Sequence, residues 1–327
     1  MCEKCLYCYG PLQNGEKDFH ASCARKFFRS NAAPILPYSR DNISDLALQV
    51  IQTSTTLTGV QAKLSLDINR GERNQQDKLT IVGLWGSYIL KPQSDKYKAL
   101  PELEDLTMKM ATTAGIDTAS HSLIRMADGE LAYITRRMDR SENGDKYSML
   151  DMCQLSNRLT EHKYRGSYTQ LAGIIRQYSA AGVLDVQRFW QIVLFSWITG
   201  NSDMHCKNFS LIDRKDGLGY LLSPAYDLLA VLLTGIEDKD ELAMTLSGPG
   251  ADDSDYIGGY GRADFISAMT DTGVNEKFAN ITIDRLCSCR NKWFRLIDDS
   301  FLDEELKSGY KGLIDSRLSR LELQNSM

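Results

Sequence analysis

Between residue 57 and about residue 140, apolar and polar residues alternate in short runs, the period of strands that bury one face. Residues 63–68, 79–82, 86–90, 122–126 and 131–135 read as strands, with Gly71 and Asp128-Gly129 as turns between them. One helical pattern interrupts this sheet over 103–115, where Leu103, Leu106, Met110 and Ala111 share a face and Gly115 supplies the C-terminal stop. From about Met149 the period changes to helical, over 150–159, 167–178, 185–200, 264–272, 275–301 and 303–320. Two short strands, 209–212 and 220–222, fold back around Asp216-Gly217 as a hairpin. Ahead of the sheet, Pro34 and Pro37 mark a linker, and a short helix is expected from a Ser44 cap through Leu46, Leu48, Val50 and Ile51. The pattern predicts an α+β chain, a small sheet carrying one helix followed by a larger helical domain. The expected boundaries are 1–33, 34–145 and 146–327.

Composition narrows the class. The 327 residues are 43% hydrophobic and 25% charged, which is globular and excludes disordered, collagenous and coiled-coil chains. With 43 acidic against 38 basic residues and no Lys/Arg run, neither a nucleic-acid face nor an anionic-membrane face is expected. The longest apolar stretch, 190–197, is broken by Gln191 and Ser196 and falls well short of the ~18 residues of a membrane span. Met1-Cys2-Glu3-Lys4 opens no signal peptide, so a cytoplasmic location is expected. In that reducing compartment the eight cysteines are expected as thiols or metal ligands rather than disulfides.

Four of those cysteines, Cys2, Cys5, Cys8 and Cys23, crowd the first 23 residues. Cys5, Cys8, His20 and Cys23 have the spacing Cys-x2-Cys-x11-His-x2-Cys, with Cys2 as a spare and turns at Gly10-Pro11 and Asn14-Gly15. Such spacing suits a small structural zinc knuckle with a closed ligand set, though the same thiols also suit burial as small hydrophobes.

The chemistry-bearing stretch is 185–227. Phe189, Trp190, Val193, Leu194, Trp197 and Ile198 form an apolar helix face that ends at Gly200 and releases the polar loop Asn201-Ser202-Asp203-Met204-His205-Cys206-Lys207-Asn208. The hairpin that follows returns Asp227 to the same end. Asp203 is then placed to accept a proton from an alcohol, while Asn208 and Asp227 offer the hard oxygens magnesium prefers. A base five residues before a metal-binding Asn, with a metal-binding Asp further on, is the phosphoryl-transfer arrangement of kinase-like enzymes. Upstream, Thr58-Gly59-Val60-Gln61-Ala62-Lys63 forms a turn whose N–H groups suit phosphates. Lys91 ends a strand within reach of them as a point charge, and Glu104 is placed to orient it.

The stretches 58–63, Tyr88-Ile89-Leu90-Lys91-Pro92, Arg137-Met138-Asp139-Arg140, 200–210 and Ser223-Pro224-Ala225-Tyr226-Asp227-Leu228-Leu229 resemble, in order, motifs of the HipA family of bacterial serine/threonine kinase toxins. The resemblance spans roughly 57–229. It implies a bilobal protein-kinase-like fold with a small β-rich N-lobe and a larger helical C-lobe, here preceded by the Cys-rich knuckle. It implies Asp203 as base, Asn208 and Asp227 as magnesium ligands, Lys63 and Lys91 at the phosphates of ATP, Arg136 and Met138 at the adenine, and His205, Lys207 and Tyr226 beside the nucleotide. The family further implies a serine of an aminoacyl-tRNA synthetase as substrate, a helix-turn-helix DNA-binding antitoxin as partner, and autophosphorylation near the phosphate loop, for which Thr56 and Thr58 are the candidates. Only about 55 residues precede the loop, so the chain resembles the short, split toxins, whose missing subdomain is a separate small protein. Two other functions compete: a small-molecule kinase of the aminoglycoside-phosphotransferase type, and a catalytically silent module docking on a DNA-binding repressor. The motif at 223–229 and the loop at 58–63 count against the first, and the intact Asp203, Asn208 and Asp227 set against the second.

Overall fold

The structure, a computed structural model, describes residues 4–42, 63–71, 75–82, 86–141, 143–235, 240–248 and 259–322. The expected helix from Ser44, the turn residues Thr58 to Ala62 and the hydroxyls of Thr56 and Thr58 lie outside them. The chain divides into two compact units, one comprising Met1–Leu106, Ala119–Met138 and Asp299–Leu302, the other Thr107–Thr118, Asp139–Asp298 and Asp303–Met327.

In the first unit all five expected strands form. They are β1 (Leu64–Asn69), β2 (Lys78–Ile81), β3 (Tyr88–Pro92), β4 (His121–Arg125) and β5 (Leu131–Arg136), and they make one antiparallel sheet in the order β2-β1-β3-β5-β4. Register decides what each face carries. Leu64 pairs with Leu90 and Leu90 with Ile134, so one face is aliphatic and buried. Helix α1 (Ala21–Phe28) covers part of this face, with Phe27 meeting Tyr88 edge-on and Phe28 tilted against it, at 5.9 and 6.1 Å between ring centroids. Lys91 pairs with Tyr133 and Tyr133 with Leu123, so the opposite face holds Lys91, Tyr133 and His121. Helix α2 (Leu100–Thr113) begins in this unit and meets that face through Glu104 and Asp105. At the edge of the sheet, Leu6 O accepts a hydrogen bond from Leu123 N of β4 (3.4 Å), which brings the cysteine-rich segment against the edge strand.

Among its described residues the second unit is mainly helical and carries a three-stranded antiparallel sheet, β6 (Ser148–Asp151), β7 (Ser210–Asp213) and β8 (Leu221–Leu222). Its helices are α3 (Met152–Leu155), α4 (Tyr168–Tyr178), α5 (Val183–Ile198), α6 (Arg262–Asp271), α7 (Glu276–Cys287), α8 (Arg290–Asp299) and α9 (Glu304–Glu322). Ser167 caps α4 in a reciprocal box with Gln170, satisfying two orphan donors of its first turn. The centre is α5, whose Phe189, Trp190, Val193, Leu194, Trp197 and Ile198 are all fully buried. Phe189 packs on Phe209, Phe195 on Trp293 and Trp197 on Phe265, at 4.7, 5.7 and 5.1 Å between centroids. The indole N–H groups find acceptors: Trp190 donates to Thr272 Oγ1 and Trp197 to Glu241 Oε2.

Three expectations change. The segment 150–159 is not one helix: Met149 and Leu150 pair with Ile212 and Leu211 in β6, and Asp151 then caps the single turn α3. A short apolar run fits either state, and a distant strand decides it. The segment 275–301 is two helices rather than one, breaking at Ser288-Cys289 without glycine or proline. Helix α1, eight residues long, adds an element to the segment for which the pattern predicts only turns. Among the described residues no helix is long and apolar enough to cross a membrane.

Candidate functional site

In the first unit, Lys91 and Glu104 form a buried ion pair, Nζ to Oε1 2.5 Å, with side chains only 6% and 3% exposed. Two neighbours set this geometry. The Lys91 ammonium lies 5.3 Å from the centre of the Tyr133 ring. The next residue on α2, Asp105, is fully buried and bonds through Oδ1 to His121 Nδ1 (2.7 Å) and accepts through Oδ2 from the Tyr9 hydroxyl (2.7 Å). Burial penalises an uncompensated charge, so each member of the pair keeps the other from being a buried, unbalanced ion. Glu102, the other acid in the first turn, is not the partner; burial raises its pKa.

In the second unit, Gly200 ends α5 with φ +73°, where a β-carbon would stand 2.5 Å from Leu313 Cδ2. Only glycine turns the chain here without strain. The loop it releases is internally bonded. Asn208 donates through Nδ2 to Asp203 O (3.0 Å), and His205 N donates to the same oxygen (2.9 Å). The carboxylate of Asp203 therefore projects from a fixed backbone, about half exposed. Asn208 is buried, and its amide nitrogen is committed to the loop, which leaves its oxygen as the donor a hard cation would take.

The hairpin return is tied to the same loop. Tyr226 Oη donates to Lys207 O (2.8 Å) and accepts from Ser210 Oγ (2.6 Å), so Tyr226 and Lys207 adjoin one residue ahead of Asp227 and Asn208 respectively. Asp227 adopts the left-handed region, φ +54°, unusual for a non-glycine residue and typical of constrained functional positions. Asp203 and Asp227 both act electrostatically on His205. Among the described residues, Ser202 Oγ and His205 Nδ1 are buried without a hydrogen-bond partner, polar atoms that a bound polar group would satisfy.

The remaining expected residues are placed as follows. Lys63 is exposed immediately before β1, Arg136 ends β5 and Met138 follows it, half-buried. Lys207 pairs with Asp151 (2.8 Å), an acid the sequence did not single out. Cys5, Cys8, His20 and Cys23 bring their ligand atoms within 4.8 Å of one another. Two contacts escaped sequence reading. Tyr164 donates its hydroxyl to Asp203 Oδ1 at 2.6 Å, and the Asp105 network joins α2 to Tyr9 and His121. Neither carries a motif: a tyrosine in a polar loop and an aspartate beside a glutamate on a helix have no distinguishing spacing.

His205 gives a pH test. Burial pushes its pKa below the usual 6.5, against the upward pull of the Asp203 charge. The unfolded chain then binds a proton that the folded loop refuses, so stability is full above the unfolded pKa and falls as pH drops from about 6.5 toward the lowered folded value. Urea unfolding of the wild type across that window is expected to show a positive slope of stability with pH. His205→Gln is expected to flatten it, and an unchanged slope would remove His205 as its source.

Residues 55–293 match the family model described as HipA-like C-terminal domain. The protein of Sinorhizobium fredii named "Putative kinase Y4dM" is 32% identical over 206 residues, 59% of this chain and 48% of that one. The serine/threonine-protein kinase toxin HipA of Shewanella oneidensis is 26% identical over 210 residues, 58% of this chain and 46% of that one. The chain thus spans about half the length of these curated relatives. A solved structure of the Shewanella oneidensis toxin–antitoxin system HipA, HipB and its operator DNA matches with TM-score 0.65 at 21% identity, covering 88% of this chain and 72% of that one. At that identity the likeness establishes the fold, which is kinase-like.

Proposed function

The chain belongs to the HipA-like C-terminal domain family, and on that premise we propose that it is an ATP- and magnesium-dependent serine/threonine protein kinase. The observation that carries the reading is the single bonded loop bearing Asp203 and Asn208, with Tyr226 tying Asp227 back to it. Bound Mg-ATP would supply an activated γ-phosphoryl group, its charge neutralised by the metal. In this reading Asp203 accepts the proton of the substrate hydroxyl through a carboxylate oxygen. Asn208 and Asp227 hold the metal with oxygen donors. Lys91, kept in place by Glu104, binds the phosphates, with Lys63 and the turn from Thr58 beside them. Arg136 and Met138 receive the adenine, and His205, Lys207 and Tyr226 shape the loop around the nucleotide.

The same reading extends to regulation and partners. The chain acts as the toxin of a toxin–antitoxin pair, on a serine of an aminoacyl-tRNA synthetase or another translation factor. A phosphate on Thr56 or Thr58 silences it by competing for the donors that hold ATP. A helix-turn-helix DNA-binding protein neutralises it, and a small protein supplying the subdomain of longer relatives is a candidate second partner; the Shewanella oneidensis HipA structure, solved with HipB and operator DNA, supports the first partner class. Incubation with labelled ATP and magnesium, followed by mass spectrometry of residues 54–58, tests the core of the reading. Phosphothreonine at Thr56 or Thr58 is expected. A folded chain that neither binds ATP nor transfers phosphate would overturn it.

A further inference from the structure

The cysteine-rich segment plays no part in the chemistry above, yet its geometry is built. Tyr9 takes a left-handed turn, φ +66°, closed by hydrogen bonds from Cys5 N to Gly10 O (2.8 Å) and from Tyr9 N to Cys5 O (2.9 Å). This turn sets Cys5 and Cys8 side by side. Helix α1 starts just after His20 and carries Cys23 in its first turn, so its onset supplies the second pair. His20 Nδ1 lies 3.3 Å from Cys8 Sγ and 3.6 Å from Cys23 Sγ. A tetrahedral ion with Zn–S of about 2.3 Å and Zn–N of about 2.0 Å separates such ligands by roughly 3.5 Å.

The imidazole is also oriented for a metal. His20 Nε2 sits 3.0 Å from Pro11 O, an acceptor only, so Nε2 carries the proton and Nδ1 offers its lone pair to the thiols. At Gly10 a β-carbon would come within 3.5 Å of Cys8 Sγ and 3.6 Å of His20 Cε1, so the backbone closes over the cluster. Three sulfurs and one nitrogen complete a four-coordinate set, leaving no open position for substrate.

We propose that Cys5, Cys8, His20 and Cys23 hold a structural zinc ion that fixes the Tyr9 turn and, through the Tyr9–Asp105 hydrogen bond, holds α2 where Glu104 meets Lys91. Binding exchanges the three thiol protons for the cation, and these protons leave to solvent. The Tyr9 side chain is buried, its ring meeting Phe301 edge-on at 5.3 Å and its hydroxyl reaching Asp105 at 2.7 Å. Glu104 is the next residue on the same helix. A turn that loosens without metal therefore releases a contact one residue from the ion pair. Tyr9 is a positioning residue; its consequence for phosphate transfer rests on the kinase reading, whereas zinc binding and the order of α2 do not.

The test uses the full chain. Metal analysis of the purified protein is expected to find about one zinc per chain in the wild type and in Tyr9→Phe, and none in a Cys8→Ser, Cys23→Ser double variant. Cobalt substitution is expected to give the intense thiolate charge-transfer absorption of a tetrahedral sulfur site. Hydrogen exchange of the peptide covering 100–106 is expected to quicken about tenfold in zinc-loaded Tyr9→Phe, the loss of one hydrogen bond to a charged group. A wild-type chain grown in zinc-supplemented medium yet free of zinc would overturn the site. Zinc retained with unchanged exchange in Tyr9→Phe would overturn the link to α2. Failure of the kinase reading looks different: a zinc-loaded chain with a protected α2 that transfers no phosphate.

Discussion

Replacing Asp203 by asparagine is expected to lower the phosphoryl-transfer rate by about 10²- to 10⁴-fold, the usual contribution of a positioned general base. ATP affinity and the fold are expected to be retained. The carboxylate is about half exposed, so the substitution buries no new polar atom. The loop is held by bonds to the Asp203 backbone oxygen, from Asn208 Nδ2 and His205 N, which asparagine leaves in place. The amide oxygen of asparagine can still accept from Tyr164, but an amide does not take up a proton at neutral pH. Single-turnover transfer of labelled phosphate, beside equilibrium ATP binding, separates the two effects. A variant that keeps more than about a tenth of the wild-type rate would show that the proton leaves by another route.

The second large effect is on stability. Glu104→Ala removes the carboxylate 2.5 Å from the Lys91 ammonium in a site with 6% exposure, and breaking one side of a buried pair costs about 3–5 kcal/mol. A double variant, Lys91→Met with Glu104→Leu, removes both charges and fills similar volume. It is expected to recover most of that loss in urea unfolding while remaining inactive. On the kinase reading stability and activity thus part company: the first is expected to follow charge balance on this sheet face, the second Lys91 itself. A cost below about 1 kcal/mol for Glu104→Ala would mean that water reaches the pair and that its burial is not enforced.

Much of this architecture could be read from residue pattern, because its signals are local. Alternation at 63–68, 86–90 and 131–135 places the strands, and the apolar stripe of α5 ending at Gly200 places the loop. The pairing of Lys91 with Glu104 is also as expected, and the structure brings Cys5, Cys8, His20 and Cys23 together. What pattern missed depends on distant partners. Met149 and Leu150 suit a helix or a strand, and only Ile212 and Leu211 make them a strand. The α7–α8 break has no helix-breaking residue; Cys289 is buried there, and the Trp293 indole one turn on reaches Met110 O. Tyr164, Asp151 and Asp105 have roles visible only once the chain is folded, since each acts on a residue far from it in sequence.

The phenol of Tyr164 on Asp203 also bears on fuel economy. Water outnumbers every protein hydroxyl in a cell, and a carboxylate that draws a proton from an alcohol draws one from water as readily. At 2.6 Å from Oδ1, the Tyr164 hydroxyl donates to the carboxylate oxygen that the kinase reading makes the proton acceptor, and its ring is half-exposed. On the kinase reading that contact would discriminate by timing: a substrate hydroxyl that takes the place of the phenol would meet an uncovered base, and a covered base would hold down idle hydrolysis of ATP in between.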